Sequence, residues 1–268
     1  MSDEGFSAEQ VERYQAHLAL PEIGHTGQQR LLDTSVLLVG VGGLGCSAAQ
    51  YLTAAGVGKL GLLDDHSVDL SNLQRQILFS ADDLNGKKAR VAAEVLSSLN
   101  PDAELVPIVD RLTATNAVGL IKGWDLVIDG SDNFATRYVV NDACVLAGTT
   151  LVTGSIYQFE GQITVVCPPE SPCYRCIFPA PPAEQAPCHA AGVLASLPGV
   201  VGTILATEAL KLAIGAESSL VGRLLLVDML DTSFRSVHVT RDVECALCGN
   251  KPSISHPTAV ALCRDETD

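Results

Sequence analysis

Apolar residues along the chain change period several times, and the changes mark out elements. Ser7 and Gln10 have the spacing of a capping box, and Val11, Tyr14 and Leu18 follow at helical spacing until Pro21. A short polar helix over 27–32 leads to the apolar run Val36-Leu37-Leu38-Val39, a buried strand. Helix and strand then alternate: helix 43–55, strand 59–63, helix 87–99, strand 104–108, helix 114–121, strand 125–129, helix 133–147, strand 151–154. In the helix over 87–99, Val91, Val95 and Leu99 fall on one face, and Asn100-Pro101 ends it. Alternation of this kind predicts a mostly parallel, Rossmann-like α/β sheet with helices on both faces.

After residue 160 the pattern changes. Residues 161–167 form a strand with no helix before it, 178–187 is a proline-rich loop, and 199–214 is apolar almost all round, as in a buried helix. Strands over 223–227 and 234–239 follow closely enough to pair antiparallel, so the sheet is expected to be extended by antiparallel strands. The expected organisation is N-terminal helices over 1–34, one nucleotide-binding domain over 35–250, and a disordered tail over 251–268.

The first strand runs into Gly40-Val41-Gly42-Gly43-Leu44-Gly45, which fits G-x-G-x-x-G. Glycine lets the backbone turn sharply and approach a phosphate, and the next helix aims its free N–H groups there. Asp64 ends the second strand about 20 residues on, where a ribose hydroxyl lies in such folds. The formal net charge of −14 argues against nucleic acid, whose binding rests on Lys and Arg. No apolar run suits a membrane span, and the acidic start Met1-Ser2-Asp3-Glu4 is unlike an export signal, so a cytoplasmic protein is expected. The nine cysteines of such a chain read as metal ligands or reactive thiols rather than a disulfide framework.

Cys173-x-x-Cys176 and Cys245-x-x-Cys248 are two knuckles of the same form, as in a closed tetrahedral zinc site; a redox dithiol is the alternative. Between Leu70 and Ile77, Asn72 and Arg75 suit phosphate or ribose contacts, or else belong to a solvated loop. Lys88 can reach β/γ-phosphates, although adjacent Lys87 makes the choice ambiguous. Asp129 and Asp132, with Asn133, stand at the carboxyl end of a strand and suit magnesium or an Asx turn. Cys188 beside His189 has the surroundings of an activated nucleophile, or is a loop cysteine without a role. Cys46, Cys144 and Cys167 read as buried packing.

In combination these runs, together with Glu160-Gly161-Gln162 and residues 188–192, resemble the MoeB/ThiF-type adenylyltransferases, relatives of ubiquitin-activating enzymes, over about residues 10–250. The resemblance implies a homodimer that uses MgATP to adenylate the C-terminal glycine of a small ubiquitin-like sulfur-carrier protein. By position it implies that Gly40, Gly42, Gly43 and Gly45 cradle ATP and Asp64 holds the ribose. Asn72, Arg75 and Lys88 would hold phosphates, Asp132 magnesium with Asn133 beside it, and the four knuckle cysteines Zn2+. Cys188 matches a crossover-loop cysteine, here within 178–190, that some members use to capture the activated carrier. The chain ends without the rhodanese-like domain of longer members, which implies a separate sulfurtransferase.

One departure stands out. The family pattern Arg-Tyr-x-Arg reads Arg13-Tyr14-Gln15-Ala16, so Ala16 replaces an arginine that reaches the partner subunit's ATP. This keeps open a non-catalytic dimeric module that binds nucleotide or carrier. A nicotinamide-dependent oxidoreductase would share the glycine turn but leaves the knuckles, Arg75 and Asp132 unexplained.

Overall fold

The computed structural model describes residues 5–180, 192–218 and 220–258. The fold is α/β, built on one eight-stranded sheet. Its strands are β1 (Ser35–Val39), β2 (Lys59–Leu63), β3 (Glu104–Ile108), β4 (Leu126–Asp129), β5 (Thr150–Tyr157), β6 (Glu160–Val166), β7 (Arg223–Asp228) and β8 (Ser233–His238). The order is β3-β2-β1-β4-β5-β6-β7-β8. The first five strands pair parallel, while β6, β7 and β8 add antiparallel. The order reverses between β1 and β4, and such a switch point opens a crevice at the carboxyl ends of those strands.

The helices are α1 (Ala8–Arg13), α2 (Gln15–Leu18), α3 (Gly24–Asp33), α4 (Gly43–Ala54), α5 (Lys88–Leu99), α6 (Ala117–Ile121), α7 (Phe134–Ala147), α8 (Tyr174–Ile177) and α9 (Leu197–Ala213). Helices α4, α5 and α9 bury Leu52, Leu96 and Leu205 in one apolar cluster with Leu38 and Leu60. On the other side, α6 and α7 bury Ile121, Val140 and Cys144 against Leu37, Val127 and Leu151. The alternation of Leu37 and Leu38 between the two clusters follows from the two-residue period of a strand buried on both faces.

Several expectations are corrected. The first helix breaks at Tyr14, whose side chain is buried and whose hydroxyl bonds Asp102 and Asn100. In α5 the buried row is Ala89, Ala92 and Leu96, while Val95 and Leu99 are exposed. Both rows have helical spacing, and the small alanines let the helix lie close to the sheet. Cys167 is only half-buried, unlike Cys46 and Cys144. The segment after Asn250, expected to be disordered, is placed as far as Thr258. Ser253 and Ile254 donate to the Ala246 carbonyl, and the Thr258 N–H donates to Asp142 at 3.1 Å.

Candidate functional site: a nucleotide cleft and a four-cysteine centre

The glycine run leaves β1 at the switch point. Gly40 has φ +87°, and a Cβ there would sit 3.1 Å from the Gly130 carbonyl. A Cβ on Gly45 would strike the Gly40 carbonyl oxygen, so these two glycines are required by packing. Gly42 differs: the nearest atom to its Cβ position is Gln76 Nε2 at 3.8 Å. Space, then, does not demand glycine at 42, and the open position there leaves room for close approach of a ligand. Gly42 is the N-cap of α4 and offers no side-chain cap, so the first N–H groups of α4 remain available to an anion.

These glycines open onto a cleft of about 1600 Å3. Asp64, nearly buried, accepts from Val41 N and from His66 N, each at 2.8 Å, which ties it to the glycine loop. Asn72 ends a 3-10 turn, Leu70–Asn72, capped by Asp69. Asp69 accepts from Ser71 N and Oγ, and these bonds hold its carboxyl below the ordinary range. Arg75 reaches back to the Ser71 carbonyl at 3.1 Å, so the turn presents Asn72 and Arg75 to the cleft together.

Burial separates the two lysines. Lys87 donates to the Asp65 carbonyl and is exposed, whereas Lys88 is 7% exposed and lines the cleft. The two acids at the end of β4 also separate. Asp129 is fully buried and accepts from Ser131 N and Thr153 Oγ1, a structural role. Asp132 is exposed on the cleft wall, beside Asn133 Nδ2 at 3.4 Å. Asn133 caps α7 through Thr136 N at 2.9 Å. Cys188 and His189 lie outside the described residues.

Two cleft residues carried no role in the sequence reading. Gln76 is buried, and its Oε1 is an acceptor without a partner among the described residues. An orphan acceptor beside Gly42 fits a ligand that brings a donor. Arg137, one turn beyond Asn133, is 4% exposed and donates to the Ser131 carbonyl. A buried arginine just after an acidic strand end was the available signal.

Away from the cleft, the thiols of Cys173, Cys176, Cys245 and Cys248 all lie within 4.8 Å of one another. The individual separations are 3.9 Å for Cys173–Cys176, 3.7 Å for Cys173–Cys245 and 3.3 Å for Cys176–Cys248. A tetrahedral zinc with ~2.3 Å bonds needs edges of about 3.8 Å, so the donor set fits the metal. Burial, reinforced by the other thiols, pushes the Cys173 thiol far up and that of Cys248 to about 11. Burial also raises Cys245, but the N–H groups of Cys248 and Leu247 outweigh it and hold that thiol down.

Residues 14–247 match the ThiF family. This chain belongs to that family. It is 46% identical over 255 residues to the sulfur carrier protein adenylyltransferase of Thermus thermophilus, covering 92% of this chain and 94% of that protein. It is 47% identical to the SAMP-activating enzyme E1 of Haloferax volcanii, covering 90% of each. Against adenylyltransferase and sulfurtransferase MOCS3 of Bos taurus it is 47% identical, over 93% of this chain and 55% of that protein. The solved structure of E. coli MccB with MccA-N7isoASN superposes with a TM-score of 0.80 at 21% identity, over 92% of this chain and 76% of that one, a shared fold.

In this ThiF-family chain the N-terminal departure gains a structural context. Ala16 is exposed on α2. Arg13 donates to the Leu99 carbonyl at 3.1 Å, and the His17 ring is 2.9 Å from Gln28. Arg13 and His17, the neighbouring residues whose side chains could stand in for that arginine, are thus both engaged within their own chain. Among the described residues no helix is long and apolar enough to cross a membrane.

Proposed function

We propose that this chain is an ATP-dependent adenylyltransferase that activates the C-terminal glycine carboxylate of a small ubiquitin-like sulfur-carrier protein. The observation that carries the reading is convergence in one cleft of the uncapped α4 N-terminus, Arg75, Lys88, Asp64 and Asp132. The names of relatives at 46% and 47% identity over nearly their full length support the same activity.

The chemistry suits these groups. A carboxylate oxygen attacks the α-phosphorus, an O–P bond forms, and the bond to the β-phosphate breaks with release of pyrophosphate. The nucleophile is already ionised at neutral pH, so no base is required. The difficulty is repulsion between two anions. Arg75, Lys88 and the α4 N–H groups screen it and stabilise charge on the departing pyrophosphate. Asp64 holds the ribose, and Asn72 fixes a phosphate or ribose oxygen. Asp132 holds magnesium, which neutralises triphosphate charge when bound. Cys173, Cys176, Cys245 and Cys248 would hold Zn2+ as a structural ion that ties the C-terminal segment to the fold.

The working unit is a homodimer in a cytoplasmic setting. Cys188 acts, if at all, after adenylation, because its thiol takes no part in forming the acyl-adenylate. The test is ATP–pyrophosphate exchange with each sulfur carrier from the same genome. Exchange dependent on one carrier, with thermal stabilisation by MgATP and none by NAD, is expected. MgATP binding without exchange for any carrier would leave only the non-catalytic binding module.

A further inference from the structure

The face of α7 that turns toward α8 carries an unusual set of residues: Phe134, Arg137, Tyr138, Asn141 and Asp142. Their spacing of three and four places them on one side of the helix. Helix α8 starts directly after its N-cap Cys173 and carries Cys176, and its Tyr174 and Arg175 meet this side. Arg175 makes a bidentate pair with buried Asp142 at 2.7 and 2.8 Å and stands 4.7 Å from the Tyr138 ring centroid. The Tyr174 N–H donates to Asn141 Oδ1 at 2.8 Å. The Tyr174 ring packs edge-on to Tyr138 at 5.3 Å.

At the other end of the same face, the guanidinium of Arg137 lies 5.9 Å from the Tyr174 ring centroid and 5.3 Å from that of Phe134. Arg137 then donates to the Ser131 carbonyl at 3.3 Å and approaches Asp129 at 3.8 Å. Those two residues flank Gly130 in the turn that ends at Asp132 on the cleft wall.

We propose that Arg137 is a positioning residue for the Asp132 turn, seated by the Tyr174 ring that the four-cysteine centre holds in place. The proposal rests on the adenylyltransferase reading for its catalytic consequence alone. The physical grounds are that the charge of a buried arginine cannot relax into water, and that a planar guanidinium keeps its direction only where flat partners fix it. Tyr174 is one such partner, and its backbone is clamped between a metal ligand and Asn141. Loosening the centre therefore frees Arg137 and the turn it supports, with no ligand or metal contact to the cleft itself.

The test uses the full zinc-loaded chain with the variants Tyr174→Leu, Tyr174→Phe and Arg137→Lys. Tyr174→Leu is expected to keep one zinc per chain and its fold. It should raise the KM for MgATP about tenfold, within the range of coupling through packed networks, with a smaller change in kcat. Tyr174→Phe keeps the ring and should restore the wild-type KM. Arg137→Lys keeps the charge and loses the flat fork, so it should reproduce the loss, and the double variant with Tyr174→Leu should be no worse than either single one. A folded, zinc-loaded Tyr174→Leu with wild-type KM overturns the proposal.

Amide hydrogen exchange on the wild-type chain gives a second reading that needs neither substitution nor turnover. Removing zinc with a chelator should speed exchange at Ser131 and Asn133 while β1 stays protected. Faster exchange confined to the knuckles overturns the proposal as well. If the wild-type chain binds no MgATP, the adenylyltransferase reading fails and the exchange experiment still decides the coupling.

Discussion

The nucleotide cleft and the four-cysteine centre are built by opposite means. The cleft draws its groups from the ends of β1, β2 and β4 and the turns that follow them. Several of these groups are positioned by a short stretch of their own sequence: Asp69 caps the turn that carries Arg75, and Asn133 caps α7 beside Asp132. The cysteine centre joins Cys173 to Cys245 across 72 residues, and no local turn brings those knuckles together. A locally specified site can lose a group and keep its frame. A site closed over a long loop has little frame without its fourth ligand.

The sharpest break between the two regions is expected at Asp132 and Lys88. Asp132→Ala or Lys88→Ala should lower pyrophosphate exchange by roughly 10²–10³-fold, the scale of losing one aligned electrostatic group. The melting temperature should move little by comparison, since both side chains line the cleft. Normal exchange in both variants would remove these residues from the site.

The reciprocal substitution, Cys248→Ser, is expected to abolish stoichiometric zinc and to destabilise the chain. Apparent zinc affinities of roughly 10–16 kcal/mol in small zinc peptides set an upper scale for that loss. Elemental analysis and thermal melting check it. A metal-free wild-type protein, purified without chelator, would erase the contrast between the two regions.

The smallest effect belongs to Asp69. Because its folded carboxyl is held down by Ser71, its support of the turn is present above the ordinary carboxylate range. That support is lost as the pH falls through the lowered folded value. Asp69→Asn should raise the KM for ATP a few-fold at neutral pH and leave zinc content unchanged. An unaltered KM would mean that the turn holds Arg75 without its cap.

Much of the cleft was legible because its chemistry is contiguous. A glycine run after an apolar strand, an acid after the next strand and an Asp-Asn pair before a helix each state a local geometry. What the motifs left ambiguous was settled by which way side chains face. Lys87 and Lys88 differ by one position, about 100° around the helix start, and only packing shows that Lys88 turns inward. Asp129 and Asp132 look alike as a pair, yet one is consumed by Ser131 and Thr153 and the other faces the cleft. In α5 the two apolar rows were equivalent by period, and the sheet selected Ala89, Ala92 and Leu96.

By itself, the sequence determined the alternation of strands and helices, the glycine turn, the candidate phosphate ligands and the two knuckles, because each depends on residues within a few turns of one another. Tertiary structure alone decided that the knuckles meet, that residues 251–258 pack back toward Asp142, and that Arg137 spans from the Tyr174 ring to the Asp132 turn. These relations join residues far apart along the chain. Nothing in local periodicity encodes such a distance; burial of shared apolar surface and pairing of buried charge bring the segments together.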